Sequence, residues 1–336
     1  MAVPVTIKDI AKAAGVSHTT VSRALRGHSA ISAETTARIR KLAQEMGYTP
    51  SAVAQSLLAQ RTRTIGLVIT TTADPFTVQV VGGVEYVAQT AGYSVFLSSS
   101  HNDPDREIAV VETFHRRRVD AIIVTSSRLG SLYKSRLDKI QVPIVLINNQ
   151  EEGEYLYSVA VDDVQGAQLG VQHLIELGHR RIGYVGLTNR PKSNRRRRQG
   201  YETAMKNAGL PLDPSLIFSP IPDHDIFERG HETLEQILQR NVTAVFCYND
   251  LTAIGLSLAC RDRGIAVPER LSIVGFDDID AAMYVTPPLT TVHQPRFELG
   301  QLAMEMVLDL LNGQEVQDKT VACHLEVRGS TAPPAH

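Results

Sequence analysis

The sequence predicts a small all-α amino-terminal module followed by an α/β body of two doubly wound parallel-sheet subdomains. Three observations carry this. The chain has 336 residues, and at roughly 100–200 residues per domain it holds two or three domains. Residues 1–63 carry nine bases and three acids, a charge of +6, whereas the rest stands at −8 and the whole at −2. The periodicity also changes: helical spacing alone runs to residue 59, and from residue 64 β-branched apolar runs alternate with helical stretches. Apolar residues at 43% and charged residues at 21% exclude a disordered or fibrous chain.

In the basic segment Ile7, Ile10, Ala11 and Ala14 share one face of a short helix, with Thr6 as N-cap and Asp9 as its capping-box partner. Gly15 to Ser17 make a tight turn, and Val21, Ala24 and Leu25 mark a second helix. Ser32 caps a third, whose stripe is Ile39, Leu42, Ala43 and Met46, until Gly47 stops it. Helix, glycine turn, helix is the helix-turn-helix pattern, in which the second helix enters the DNA major groove. Its outward residues are Ser17, His18, Thr19, Ser22 and Arg23; arginine can read guanine bidentately, and His and Thr can meet base edges or phosphates. A solvated three-helix bundle shares this spacing, but the +6 charge favours a polyanion.

After Tyr48-Thr49-Pro50, Ser51 caps the stretch Ala52 to Ala59, with Val53, Leu57 and Leu58 apolar. Eight residues are too few for a stable isolated helix. The stretch is either a plain linker or a helix that orders against its own copy or on DNA.

The segments TIKDIAKAAGVSHTTVSRAL, GYTPSAVAQSLL and TIGLVIT closely resemble the start of the lac repressor/galactose repressor family of bacterial transcription regulators. The resemblance implies that Ser17, His18, Thr19 and Arg23 read bases and that Ala52 to Leu58 form a hinge helix. It further implies that Leu57 wedges into a central minor-groove step, which a leucine can do by partly unstacking it. Thr6, Thr20, Ser51 and Ala54 complete the candidate DNA-contacting set.

Beyond residue 63, strands are expected at 64–70, 93–98, 120–125, 143–147, 158–161, 181–186, 243–248 and 271–276. Helices are expected near 76–91, 105–118, 164–177, 195–208, 227–239 and 251–263. So many alternations imply parallel sheets covered on both faces. A break near Asp162 splits them into two halves with a cleft between, the arrangement of periplasmic sugar-binding proteins. The family resemblance, which spans about residues 6–330, implies the same. It also implies that a last helix, 297–311, returns to the first half and that the tail from Cys323 ends in the second. The expected organisation is thus 1–50 helix-turn-helix, 51–62 hinge and linker, 63–163 plus 294–322 one subdomain, and 164–293 plus 323–336 the other.

Ligands of such sheets bind at the carboxyl ends of the strands. Asp74, Phe76, Ser126, Asn149, Asn249 and Asp277 stand there, with Arg197 available from the helix near 195. Asn and Asp after a strand commonly cap the next helix, but amides and acids gathered at one rim suit a polyhydroxylated ligand. The resemblance implies effector contacts for Arg197, Asn249 and Asp277, and more weakly for Ser193 and Gln294. Asn149 sits where many members carry an aspartate. Asp225 sits where members commonly stack an aromatic on the ligand, so Asp225 adds hydroxyl contacts or Phe227 takes over the stacking. The four arginines 195–198 point in all directions on a helix, so one or two face the cleft while the others solvate.

No G-x-G-x-x-G after the first strand, G-x-x-x-x-G-K-[ST] or G-x-S-x-G occurs, and His224 between Asp223 and Asp225 is the nearest approach to a metal cluster. Catalytic residues, metals and cofactors are therefore not expected. Cys247, Cys260 and Cys323 are odd in number and widely spaced, which argues against a disulfide framework. Without a signal-like or membrane-spanning run, a cytoplasmic protein is expected. The resulting expectation is a regulator, foremost a repressor, that binds a pseudo-palindromic operator as a homodimer under control of a sugar or sugar derivative. A purine or sugar-phosphate effector, and co-repressor control, stand as alternatives.

Overall fold

The computed structural model describes residues 5–48, 61–129, 142–150, 157–187, 190–219 and 226–335. They belong to two compact units, Met1–Thr62 and Arg63–His336.

In the first unit α1 (Ile7–Ala14), α2 (His18–Leu25) and α3 (Ala33–Glu45) close around Ile10, Val21, Ala24 and Ile39, all fully buried. Gly15 takes φ +66, the left-handed conformation that ends α1 and turns the chain into α2. Ser17 and Ser32 cap α2 and α3 by accepting from the Thr20 and Thr35 amides. Arg38 of α3 donates to the Ala14 carbonyl at 3.1 Å, placing a cation at the negative end of α1.

In the second unit, β1 (Thr64–Ile69), β2 (Ser94–Ser99), β3 (Ala121–Thr125), β4 (Ile144–Ile147), β5 (Ser158–Val161) and β11 (Lys319–Val321) form one sheet. Its order is β11-β5-β4-β3-β1-β2, and all its pairings are parallel. The other sheet, in the order β12-β10-β9-β8-β6-β7, contains β6 (Ile182–Val185), β7 (Ile217–Phe218), β8 (Ala244–Cys247), β9 (Ser272–Asp277), β10 (Thr290–His293) and β12 (His324–Glu326). Only its β10–β12 pair is antiparallel. Strands β3, β4, β8 and β9 are buried at every residue, as the centre of a doubly covered parallel sheet must be.

Helices α4 (Pro75–Thr90), α5 (Pro104–Arg116), α6 (Asp163–Glu176), α7 (Pro191–Asn207), α8 (Ile226–Gln239), α9 (Asp250–Asp262), α10 (Ala281–Tyr284) and α11 (Arg296–Leu311) connect and cover the strands. The chain crosses between sheets three times: from β5 into α6, from β10 into α11, and between β11 and β12. Helix α11 thereby follows the second sheet in sequence but packs on α4 and on β3, β4 and β5 of the first.

The eight expected strands are present, and four more, β7, β10, β11 and β12, were not anticipated. They are two to four residues long, too short to show a period. Strand β10 also buries Thr290 and Thr291 completely, which a search for apolar runs passes over. Helix α7 starts at Pro191 rather than Arg195, because proline, with φ preset and no amide to satisfy, suits the first helical position.

Three helix pairs close on glycine. A methyl at Gly83 of α4 would strike the Phe297 carbonyl of α11, and one at Gly300 of α11 would strike the Val80 carbonyl of α4. Gly230 of α8 meets Gly255 of α9, and Gly200 of α7 meets Val164 of α6, in the same way. Overpacking a core contact costs about 1–3 kcal/mol, and here the obstructing atoms are backbone. Gly300→Ala is expected to destabilise the protein by at least that much, read as a lowered denaturation midpoint; an unchanged midpoint would show that the two helices can move apart freely.

Candidate DNA-reading face and effector cleft

On α2 the polar residues divide by what they already bond. Ser17 accepts from the Thr20 amide, and the two hydroxyls lie 2.9 Å apart. Arg26 folds back on Ser22, donating to its carbonyl and hydroxyl, each at 3.0 Å. His18, Thr19 and Arg23 remain exposed, and Thr19 and Arg23, four apart, share one face of the helix. Thr6 is exposed but held by Asp9, whose carboxylate accepts from its amide at 2.8 Å and its hydroxyl at 2.7 Å. Ser51, Ala54 and Leu57 lie outside the described residues.

In the second unit a cavity of about 270 Å³ opens between the two sheets at their carboxyl ends, close to the ~300 Å³ at which small-ligand clefts begin. Asp74, Phe76, Ser126, Ser193, Arg197, Asn249, Asp277 and Gln294 all line it. Asn149 does not; it is buried, and its neighbours Asn148 and Gln150 line the cavity instead, so the chain leaving β4 presents alternate side chains to it. Asp225 and the side chain of Phe227 lie outside the described residues.

The helices bring the lining residues in by their amino-terminal ends. Asp74 caps α4 through the Phe76 amide at 3.1 Å, and Asn249 caps α9 through the Thr252 amide at 3.0 Å, so the helix-capping and lining readings of these residues hold together. Asn102, Ser126, Asn148 and Asp277 adopt positive φ, of 59°, 51°, 46° and 121°, and all four line the cavity. Non-glycine residues seldom adopt this conformation, and backbone strain of that kind clusters at ligand sites.

Arg197 is the fixed wall. Its Nε donates to Asp163 at 2.9 Å and its Nη1 to the Tyr248 carbonyl at 2.6 Å, while its guanidinium stacks 3.7 Å from the Phe276 ring centroid and 4.5 Å from that of Tyr248. Burial works against its charge, and Asp163, with Tyr248 and Asp277, more than restores it. Asp277 lies 3.6 Å from the same guanidinium and accepts from Gln294 Nε2 at 2.5 Å, yet burial pushes its carboxyl up to about 8. The closer partner Asp163 already claims the charge. Asp278 behaves oppositely. Although burial raises it, hydrogen bonds from His293 at 2.7 Å and Arg328 at 2.6 Å hold it down to about 2.

Among the described residues, polar links join the strand ends of one sheet to those of the other: Gln150 Nε2 to Ser193 Oγ at 2.9 Å, Asn148 Nδ2 to Oε1 of Gln294, which follows β10, at 3.4 Å, and Arg190 Nη2 to Asp74 Oδ2 and Thr70 Oγ1, each at 3.4 Å. Asn102 Oδ1 is buried with no hydrogen-bond partner among the described residues. Asn102, Gln150, Arg190, Arg229 and Thr233 were not selected from the sequence. Gln150 and Asn102 follow strands at a remove, and Arg190 is distinguished only by preceding Pro191, which marks a helix start. The three cysteines are free and buried. Among the described residues no group of His, Cys, Asp and Glu could hold a metal, and no helix is long and apolar enough to cross a membrane.

A helix-turn-helix unit joined to a two-sheet body with a polar interdomain cleft defines a ligand-responsive DNA-binding regulator. The comparisons with known proteins agree. Residues 6–51 match the bacterial regulatory proteins of the lacI family, and residues 171–331 the periplasmic binding protein-like domain. The HTH-type transcriptional repressor CytR of Escherichia coli strain K12 is 34% identical over 330 residues, 97% of this chain and 96% of its own. The lac repressor dimer bound to operator and the anti-inducer ONPF superposes with a TM-score of 0.88 at 27% identity, covering 98% of this chain and 100% of that one. A LacI family regulator from Enterococcus faecium with bound ribose has a TM-score of 0.72 at 30% identity, covering 80% of this chain and 99% of that one. The chain belongs to the lacI family of bacterial transcription regulators, and its task is regulation rather than catalysis.

Arg23→Ala is expected to remove discrimination between operator and random DNA, checked by competition binding; a variant as selective as the parent would take Arg23 out of the reading face. A second outcome concerns Asp277, which holds its proton more tightly folded than unfolded. The ligand-free protein therefore gains stability from that proton below the ordinary carboxylate value of 3.8 and loses it as pH rises towards about 8. Melting curves from about pH 5 to about pH 8 should fall more steeply for the parent than for Asp277→Asn; parallel curves would show an ordinary carboxylate.

Proposed function

We propose that this regulator is a repressor, acting in the cytoplasm as a homodimer on a pseudo-palindromic operator, whose DNA affinity is set by a polyhydroxylated small effector in the cleft. The observation that carries it is the set of polar links across the cleft. A ligand that enters between Gln150 and Ser193, or between Asn148 and Gln294, exchanges those bonds for its own and so favours one separation of the subdomains over another. That difference in binding free energy is the requirement for allosteric control.

In this reading His18, Thr19 and Arg23 meet the bases, Ser17, Thr20 and Ser22 shape and support that surface, and residues 51–62 form the hinge, with Leu57 as the minor-groove wedge. Arg197, Asn249, Asp277, Gln294 and Asn102 take the effector's hydroxyls, for which their mix of donors and acceptors is suited. Dimerisation accounts for apolar side chains left on the surface. Val78 and Tyr86 of α4, Phe96 and Leu97 of β2, and Met283 and Tyr284 of α10 are 43–80% exposed, side chains that pairing with a second copy would cover.

The test is selection of duplexes from a random pool by the full-length protein, followed by titration of the selected sequence with and without a carbohydrate panel. A two-fold symmetric consensus whose affinity changes at least several-fold with one carbohydrate is expected. Absence of a consensus would overturn the operator assignment, and a consensus indifferent to every carbohydrate would overturn the effector assignment alone.

A further inference from the structure

The cavity holds two differently bonded arginines from one helix. Arg197 has Nε and Nη1 held at short range by Asp163 and the Tyr248 carbonyl and its faces covered by aromatic rings. Arg190, immediately before Pro191, is only 14% exposed at its side chain, yet it is poorly bonded. A single atom, Nη2, reaches across the cleft to Asp74 Oδ2 and Thr70 Oγ1, both at 3.4 Å, at the outer limit of a hydrogen bond. Nε and Nη1 donate to none of the described residues. A guanidinium carries five N–H donors in a fork shaped for a carboxylate or phosphate, and among the described residues only one corner of this fork, Nη2, is engaged.

The surroundings of Arg190 favour negative charge. Helices α4 and α9 reach the cavity with their first amides already capped by Asp74 and Asn249. Helix α7 reaches it with Arg190 at the cap position, making no side-chain capping bond, its Ser193 amide donating to Gln150 Oε1 at 3.3 Å, and the positive end of this 17-residue helix adds to the guanidinium. Arg229 of α8 also lines the cavity. Of the acids among the described lining residues, Asp74 and Asp277, burial keeps the proton on Asp277 to about pH 8, while Asp163 is held by Arg197. A neutral polyol can satisfy the amides and hydroxyls of this cavity but leaves Arg190 with its two 3.4 Å contacts, and a largely desolvated charge is costly unless it is closely paired.

We propose that the effector bears an oxyanion, a carboxylate or phosphate on a polyhydroxylated body, and that Arg190 binds this group in place of Asp74. The proposal rests on the cleft being the effector site and names what enters it. It also supplies a coupling. Asp74 belongs to the first subdomain and Arg190 to the second, so binding replaces a direct ion pair between them with one bridged by the ligand.

The experiment is calorimetric titration of the full-length protein with matched pairs, glucuronate and glucose 6-phosphate against glucose, and ribose 5-phosphate against ribose. An anionic member is expected to bind about tenfold or more tightly than its neutral counterpart, the scale of a charge-assisted bidentate contact. Arg190→Gln should abolish that advantage and Arg190→Lys restore part of it. Asp74→Asn keeps the capping oxygen but removes the competing charge, and should widen the advantage. Glucuronate and the phosphates separate a carboxylate ligand from a phosphate one. Neutral sugars binding as tightly as their anionic partners, or an Arg190→Gln variant that keeps the preference, would overturn the proposal while leaving the cleft as effector site. Silence from every pair, with operator binding intact, would overturn both the oxyanion and the polyol.

Discussion

The effector cleft depends on one buried cation. Arg197 joins α7 to α6 through Asp163, to the chain leaving β8 through the Tyr248 carbonyl, and to the end of β9 through Asp277. A buried guanidinium is tolerable only if its desolvation is offset by close partners, and meeting that condition brings three segments of the second subdomain to one point. The aromatic rings on its faces add cation–π attraction and exclude water. Removing Arg197 would leave Asp163 buried without its guanidinium partner, so its contribution to ligand binding cannot be separated from its contribution to the wall.

From this point the neighbouring carboxyls acquire different characters. Asp163 holds the cation, leaving Asp277 with a distant share of it and a proton retained by burial. Asp278, the next residue, turns to His293 and Arg328 and is firmly ionised. Asp250 sits behind both, accepting from the Ile279 amide at 2.8 Å and from the Thr291 hydroxyl. Gly275 is required beside it, since a methyl there would strike its carboxylate. The second sheet thus ends in a layered set of acids, only the first of which lines the cavity. The opposite wall is made by turns: Asn102, Ser126 and Asn148 take left-handed conformations as the chain leaves β2, β3 and β4. Rigid strands carry strained ends, and the two rims face each other because the chain crosses between sheets three times rather than once.

Much of this was legible along the chain. Period and caps located the three amino-terminal helices, because local capping and a short apolar stripe suffice to define them: Gly15, Ser17 and Ser32 act where the sequence places them. The eight longer strands announced themselves as apolar runs. The cleft residues Asp74, Asn249 and Asp277 were legible as polar groups following strands, and Arg197 as an arginine on the helix near 195 that the family resemblance singles out. Illegible were elements whose pairing is set by distant partners. Strand β10 exists because Thr290 and Thr291 find Ser330 and Asp250, and β11 and β12 because the tail reaches both sheets. Asn149 illustrates the same limit: being next to a strand end placed it near the cavity, but the turn at Asn148 gave the lining to its neighbours.

The amino-acid sequence by itself determined the helix-turn-helix pattern, the separation of a basic module from an acidic α/β body, and which end of each strand would carry the site, which follow from local spacing, capping and charge acting over a few residues; the class of regulator it gave through family resemblance. The tertiary structure alone decided which polar groups share the cavity and with what charge. Arg190 meets Asp74 across 116 residues and Gln150 meets Ser193 across 43. Whether an arginine is tightly held like Arg197 or loosely held like Arg190 depends on partners that only the tertiary fold brings within reach.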